Sequence, residues 1–153
     1  MLFKNSEGDK LITRKKFDNN ISILKLFPGI TKNVIESVFA TEGLKGVVLE
    51  TYGSGNAPSE KWFIELMKKA IEDGLHIVNV TQCAGGSVLM GQYETSVELE
   101  RIGVISGNDI TTESAIAKLM YLLGQNIPKN EFKLIFETPL RGEMEVKDLS
   151  FSK

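Results

Sequence analysis

The sequence predicts an α/β fold: a three-layer domain in which a four-stranded parallel sheet carries helices on both faces. Three observations predict it. Short β-branched, apolar runs alternate with longer segments whose apolar residues recur at helical spacing. The short runs are continuously apolar, which suits strands covered on both sides. The order of segments, β-α-β-α-β-α-β-α-α, implies parallel neighbours joined by right-handed crossovers.

Residues 1–20 carry many charges and little periodicity. They read as an interdomain linker leading into the domain proper, residues 21–153, with at most a short edge strand at Leu11-Ile12-Thr13. Ile21 to Phe27 reads as a buried strand stopped by Pro28-Gly29. Thr31 is placed to cap a helix to about Thr41, with Val34, Ile35, Val38 and Phe39 on one face and Gly43 closing it. Val47 to Thr51 is the second strand. A strongly amphipathic helix follows from Ser59 to Asp73, with Phe63, Leu66, Met67 and Ala70 inward. His76 to Thr81 is the third strand. Tyr93 to Ile102 reads as a helix with Val97 and Ile102 inward, and Gly103 to Gly107 as an abbreviated fourth strand. Thr111 or Thr112 caps a helix from Glu113 to Leu123, and Pro128 opens a last one to about Glu137. The tail from Arg141 is polar.

Composition sets limits. The 153 residues, 42% hydrophobic and 25% charged, suffice for one domain with a real core. The net charge of -2 leaves no basic field for nucleic acid. The one basic triplet, Arg14-Lys15-Lys16, reads as solvated linker. Met1 to Lys10 lacks the apolar centre of a secretion signal. No apolar run approaches the roughly 20 residues of a membrane span. A single cysteine, Cys83, excludes an intrachain disulfide and suits a reducing, cytoplasmic compartment.

Two loops carry the functional signal. Tyr52-Gly53-Ser54-Gly55-Asn56-Ala57-Pro58 joins a strand to a helix, at the carboxyl end where open α/β sheets hold ligands. Gly53 and Gly55 admit backbone conformations closed to other residues, and Asn56 offers an amide that donates and accepts. The loop lacks the full G-x-G-x-x-G fingerprint and the P-loop lysine, so nucleotide binding is a poor fit. Thr81-Gln82-Cys83-Ala84-Gly85-Gly86-Ser87 is the second loop. Cys83 reads as a small buried hydrophobe, and the sole histidine, His76, lies at the far end of the same strand, which excludes a Cys-His dyad. Glu94, Glu98 and Glu100 read as a solvated helix face. No metal-ligand spacing, cofactor motif or acid-base pair emerges.

Set side by side, the loops are familiar. Glu50 to Pro58, Val80-Thr81-Gln82-Cys83 and Gly103 to Thr111 resemble the carboxyl-terminal domain of bacterial type I, cytoplasmic L-asparaginases. The resemblance runs from about Ile21 to Glu143 and implies a Rossmann-like domain. It also implies that the catalytic threonines belong to an amino-terminal domain whose motifs do not occur in this sequence, so that this stretch alone is inactive. Asn56 matches the asparagine that reaches a neighbouring subunit's active site, with Tyr52, Gly53 and Gly55 shaping that wall. The expected partners are L-asparagine, the enzyme's own amino-terminal domain and identical subunits in a dimer or tetramer. Some members bind asparagine at an allosteric site, whose threonine and cysteine match Thr81 and Cys83, beside Thr51. The arginine of that site is Glu50 here, and a carboxylate repels the ligand's own. Two alternatives remain open: a stand-alone amino-acid sensor, and a relative acting on another amide, such as a glutaminyl or aminoacyl-tRNA. The Thr81-Gln82-Cys83 run and the lack of a basic surface favour free asparagine over the latter.

Overall fold

The computed structural model describes residues 13–91 and 94–145. Four strands, β1 (Ile21–Lys25), β2 (Gly46–Thr51), β3 (His76–Thr81) and β4 (Ile105–Ser106), form one parallel sheet in the order β1-β2-β3-β4. Among the described residues five helices accompany them: α1 (Lys32–Phe39), α2 (Lys61–Glu72), α3 (Glu94–Arg101), α4 (Thr112–Leu123) and α5 (Lys129–Phe136). The three-layer α/β arrangement is the one the segment pattern predicts. Leu11 and Ile12, where a short edge strand was conceivable, lie outside the described residues.

The strand order never reverses, so the three crossover helices all fall on one face. There α1, α2 and α3 cover Leu24, Val47, Leu49 and Ile77, with Ile35, Phe63, Met67 and Leu99 filling the layer. On the other face α4 and α5 cover Val48, Val78, Val80 and Ile105 with Ala115, Leu119, Phe132 and Phe136. Each central strand thus sends odd-numbered and even-numbered residues into different cores, which is why β2 and β3 read as unbroken apolar runs.

Several local expectations give way to packing. β1 is an edge strand, and of its five residues only Leu24 is buried, because no strand pairs its outer side. Thr31 occupies the N-cap of α1, but its side chain makes no capping bond. Thr111 does cap α4, its hydroxyl accepting from the Ser114 N–H at 3.2 Å. Val97 points to solvent; α3 buries Ser96 and Leu99 instead, a rotation of its inward face by one residue position.

Two ionisable groups are set into the packing. His76 stacks on Phe132 with ring centroids 3.8 Å apart. Burial, helped by the Lys129 charge, lowers its pKa below 6.5, so the neutral ring is the favoured form. Lys118 on α4 is nearly sealed. Its ammonium donates to the Thr138 carbonyl at 2.8 Å and to Glu143, and sits 5.1 Å from the Phe136 ring centre. Burial lowers the Lys118 pKa, and the Glu143 carboxylate works against that. Burial alone would raise Glu143, but Lys118 and the backbone N–H groups of Leu140 and Arg141 outweigh it and hold the carboxyl at about 2.

The sign follows from linkage. A carboxyl depressed from 4.5 to about 2 contributes stability that is complete above pH 4.5 and is lost as pH falls from there towards 2. Glu143→Gln removes that acid limb and leaves a sealed ammonium without its counter-charge, at a cost of about 3 kcal/mol. Urea unfolding of parent and variant at pH 7 and pH 3 checks both: a large gap at pH 7 that narrows at pH 3.

Candidate functional site

The carboxyl ends of β2 and β3 bring the two sequence loops together. The register pairs Glu50 with Val80 and Thr51 with Thr81, so the chains leave the sheet side by side. Gln82 then stitches the ends of three neighbouring segments: its side-chain amide donates to the Leu26 carbonyl at 2.7 Å and the Glu50 carbonyl at 2.9 Å, and its N–H to the Thr51 carbonyl at 3.0 Å.

The first loop is a tight turn closed on itself. The N–H of Tyr52 donates to the Asn56 carbonyl, and that of Asn56 to the Tyr52 carbonyl, each at 2.8 Å. Between them Gly53 and Gly55 take φ of 48° and 109°. Space around Gly53 is open, whereas a Cβ on Gly55 would lie 2.9 Å from Val88 Cγ1. The Thr81 hydroxyl donates to the Gly53 carbonyl, locking the second loop onto the first. The Asn56 side chain is half-buried, and its Oδ1 lies 3.5 Å from the Thr95 hydroxyl on α3. The amide N–H₂ of the same side chain is a donor group. Tyr52 packs against the core. Burial, with the Glu60 charge adding, raises its phenol above 10, so it stays a neutral hydroxyl in the physiological range.

Beside this turn lies a cavity of about 320 Å³, lined by Glu50, Thr81 to Gly86, and Asp109 to Glu113 at the start of α4. Its carboxylates are Glu50, Asp109 and Glu113. Glu50 accepts from the Thr112 hydroxyl at 2.6 Å and lies 3.3 Å from the Lys25 ammonium. Cys83 is exposed at its mouth, not buried as the sequence suggested. The loop turns outward there, the Cys83 N–H being held by the Thr81 hydroxyl at 3.0 Å. Thr51 is not part of the cavity wall. It is fully buried, and its hydroxyl donates to Asn79 at 2.6 Å. The structure therefore brings Glu50, Thr81 and Cys83 together, sets Tyr52 to Asn56 beside them, and turns Thr51 inward.

From sequence, Asn79 has no role, and Gln82 counts only as part of the Thr81-Gln82-Cys83 run. The signal for Asn79 was present: a lone amide in the run His-Ile-Val-Asn-Val-Thr has to find a polar partner when the strand is buried. Among the described residues no group of three His, Cys, Asp or Glu side chains could hold a metal ion. None of the described helices is long and apolar enough to cross a membrane.

Fold and rim together define an α/β domain that offers small polar donors at the carboxyl edge of its sheet, without a nucleotide fingerprint. The family model for the Glutaminase/Asparaginase C-terminal domain matches residues 20–136, and the chain belongs to that family. It is 37% identical over 142 residues to "L-asparaginase 1" of Escherichia coli K12, spanning 93% of this chain and 41% of the relative. It is 38% identical over 135 residues to the "60 kDa lysophospholipase" of Mus musculus, 88% of this chain and 24% of that protein. The crystal structure of L-asparaginase I from Vibrio cholerae superposes with a TM-score of 0.84 at 38% identity, covering 91% of this chain and 42% of that one. The chain thus spans between about a quarter and two-fifths of the relatives it matches.

The two loop glycines are not equivalent. Gly55→Ala meets both a left-handed φ and Val88, and should cost about 2 kcal/mol or more. Gly53→Ala meets only the φ penalty, about 1 kcal/mol. Denaturant midpoints of the two variants should fall in that order.

Proposed function

We propose that this chain is the carboxyl-terminal domain of an L-asparaginase of the cytoplasmic type, which hydrolyses L-asparagine to L-aspartate and ammonia. In this reading residues 1–20 are an interdomain linker, residues 21–153 the domain, and the nucleophile comes from an amino-terminal domain. The domain completes the active site of a neighbouring, identical subunit through Asn56, with Tyr52, Gly53 and Gly55 as the wall behind it. The observation that carries the reading is the turn itself. It is locked by paired backbone bonds and by Thr81, and it carries the half-buried Asn56 amide just beyond the carboxyl end of β2. A donor fixed in place before the reaction can orient a substrate or hold a threonine hydroxyl without reorganising. The kinship with L-asparaginases supports the substrate.

In the protein assembled with its amino-terminal domain, Asn56→Ala should lower kcat/KM by about 10²-fold while leaving the melting temperature near that of the parent. The purified 153-residue chain should release no ammonia from asparagine. Release at a rate near that of complete enzymes would overturn the reading. Calorimetry of the isolated chain with asparagine, aspartate and glutamine separates the sensor alternative, which requires tight binding.

The cavity beside the turn bears on regulation. Glu50, Thr81 and Cys83 occupy the positions of the family's allosteric asparagine site, with a carboxylate where the arginine stands. Glu50 is already engaged by Thr112 and Lys25, and Asp109 and Glu113 add negative charge. An asparagine carboxylate finds no bidentate donor there. Asparagine titration of the assembled protein should give a hyperbolic rate curve, and a sigmoidal one would contradict this.

A further inference from the structure

We propose that Asn79, acting with Thr51, is a positioning residue that sets the height and angle of the turn carrying Asn56. The inference rests on the role given to Asn56 above. Asn79 lies on the sheet face shared with Leu49 and Ile77, and both it and Thr51 are fully buried. An amide there costs free energy unless bonded, and an aliphatic side chain would fill the layer without that cost.

What the amide contributes is connection. Its Oδ1 accepts from the Thr51 hydroxyl at 2.6 Å, at the last residue before the turn. Its Nδ2 lies 3.5 Å from Met90 Sδ, a weak acceptor, and 3.5 Å from where a Cβ on Gly55 would stand. Its main-chain carbonyl accepts from the Gly107 N–H at 2.8 Å. The turn, the 88–90 segment and the end of β4 therefore all bear on one residue. The turn and the 88–90 segment are tied again by the Leu89 N–H donating to the Ser54 carbonyl at 2.9 Å. Gly55 rests beside this residue: a Cβ there would stand at ordinary contact distance from Asn79 Nδ2, while its left-handed φ and the 2.9 Å approach to Val88 Cγ1 are what favour glycine. Buried polar pairs of this kind specify one arrangement more than they stabilise it.

That separation makes the proposal testable in the assembled protein. Thr51→Val removes the donor and leaves Asn79 Oδ1 unpaired, so both melting temperature and kcat should fall. Thr51→Ser keeps the hydroxyl and should keep kcat within about twofold of the parent. The double variant Thr51→Val/Asn79→Leu removes both polar partners and should recover most of the lost melting temperature. Its kcat should stay reduced, up to about 10²-fold, as expected of a misplaced but intact donor. Amide hydrogen exchange at Tyr52 and Asn56, which close the turn, should be at least tenfold faster in Thr51→Val than in Thr51→Ser. Equal exchange, or a double variant with parental kcat beside a disabled Asn56→Ala, would overturn the proposal. Parental activity in Asn56→Ala would instead sink the role of Asn56 itself, so the two failures are distinguishable.

Discussion

The register between β2 and β3 is the constraint on which the rim depends. Glu50 and Thr51 stand opposite Val80 and Thr81, so one ladder delivers both loops to the same edge at the same height. A slip of one residue would exchange the faces of every side chain on a strand. Val78 and Val80 would leave the α4–α5 core for the opposite one, and Asn79 would enter the layer against Phe132 and Phe136. Two fully covered faces make that slip costly, and Gln82 adds a lock by bridging the ends of β1 and β2.

Strand order then decides what kind of site the edge can be. Open α/β sheets make a ligand crevice where the order reverses, because helices leave the neighbouring strands towards opposite faces. Here the order runs β1-β2-β3-β4 without reversal, and the first three helices share a face. Topology therefore provides no cleft. The loops form a rim, and the enclosure at their feet is the modest cavity between the second loop and the start of α4. A rim of this shape suits contact with a reacting centre held by another body. That is the kind of contact proposed above for Asn56.

How much of this was legible follows from which interactions are local. The strands, the two glycine loops and the cap at Thr111 are local patterns, and they were readable to within a residue or two. Where a residue's fate depends on distant partners, the pattern was silent or misleading. Cys83 looked buried by its type, but its exposure is set by an outward turn held by Thr81. Val97 looked inward by spacing, but α3 turns Leu99 into the core. Thr31 had the right type and place for a cap, yet its hydroxyl makes no such bond. At the rim the residue types were legible and the engagements were not. Nothing in the order of residues shows that Glu50 meets Thr112, 62 positions away, or that Thr51 faces inward.

Two polar pairs set into the packing do opposite jobs with similar chemistry. Lys118 and Glu143 join α4 to the segment after α5, and Glu143 also receives backbone donors from Leu140 and Arg141. Without that carboxylate the segment has few ways to satisfy its backbone, so the pair defines where the chain goes after its last helix. Thr51 and Asn79 define no chain path, since β2 and β3 are already fixed by their ladder. Their bond lies directly beneath the turn that holds Gly53 and Gly55 in left-handed conformations. A side chain mounted on that turn keeps its aim through what holds the turn: its own paired backbone bonds, Thr81, and the bond from Leu89 to Ser54. In the proposed arrangement the buried Asn79 amide adds to that support from the sheet, which accounts for a polar residue where an aliphatic one would pack more simply.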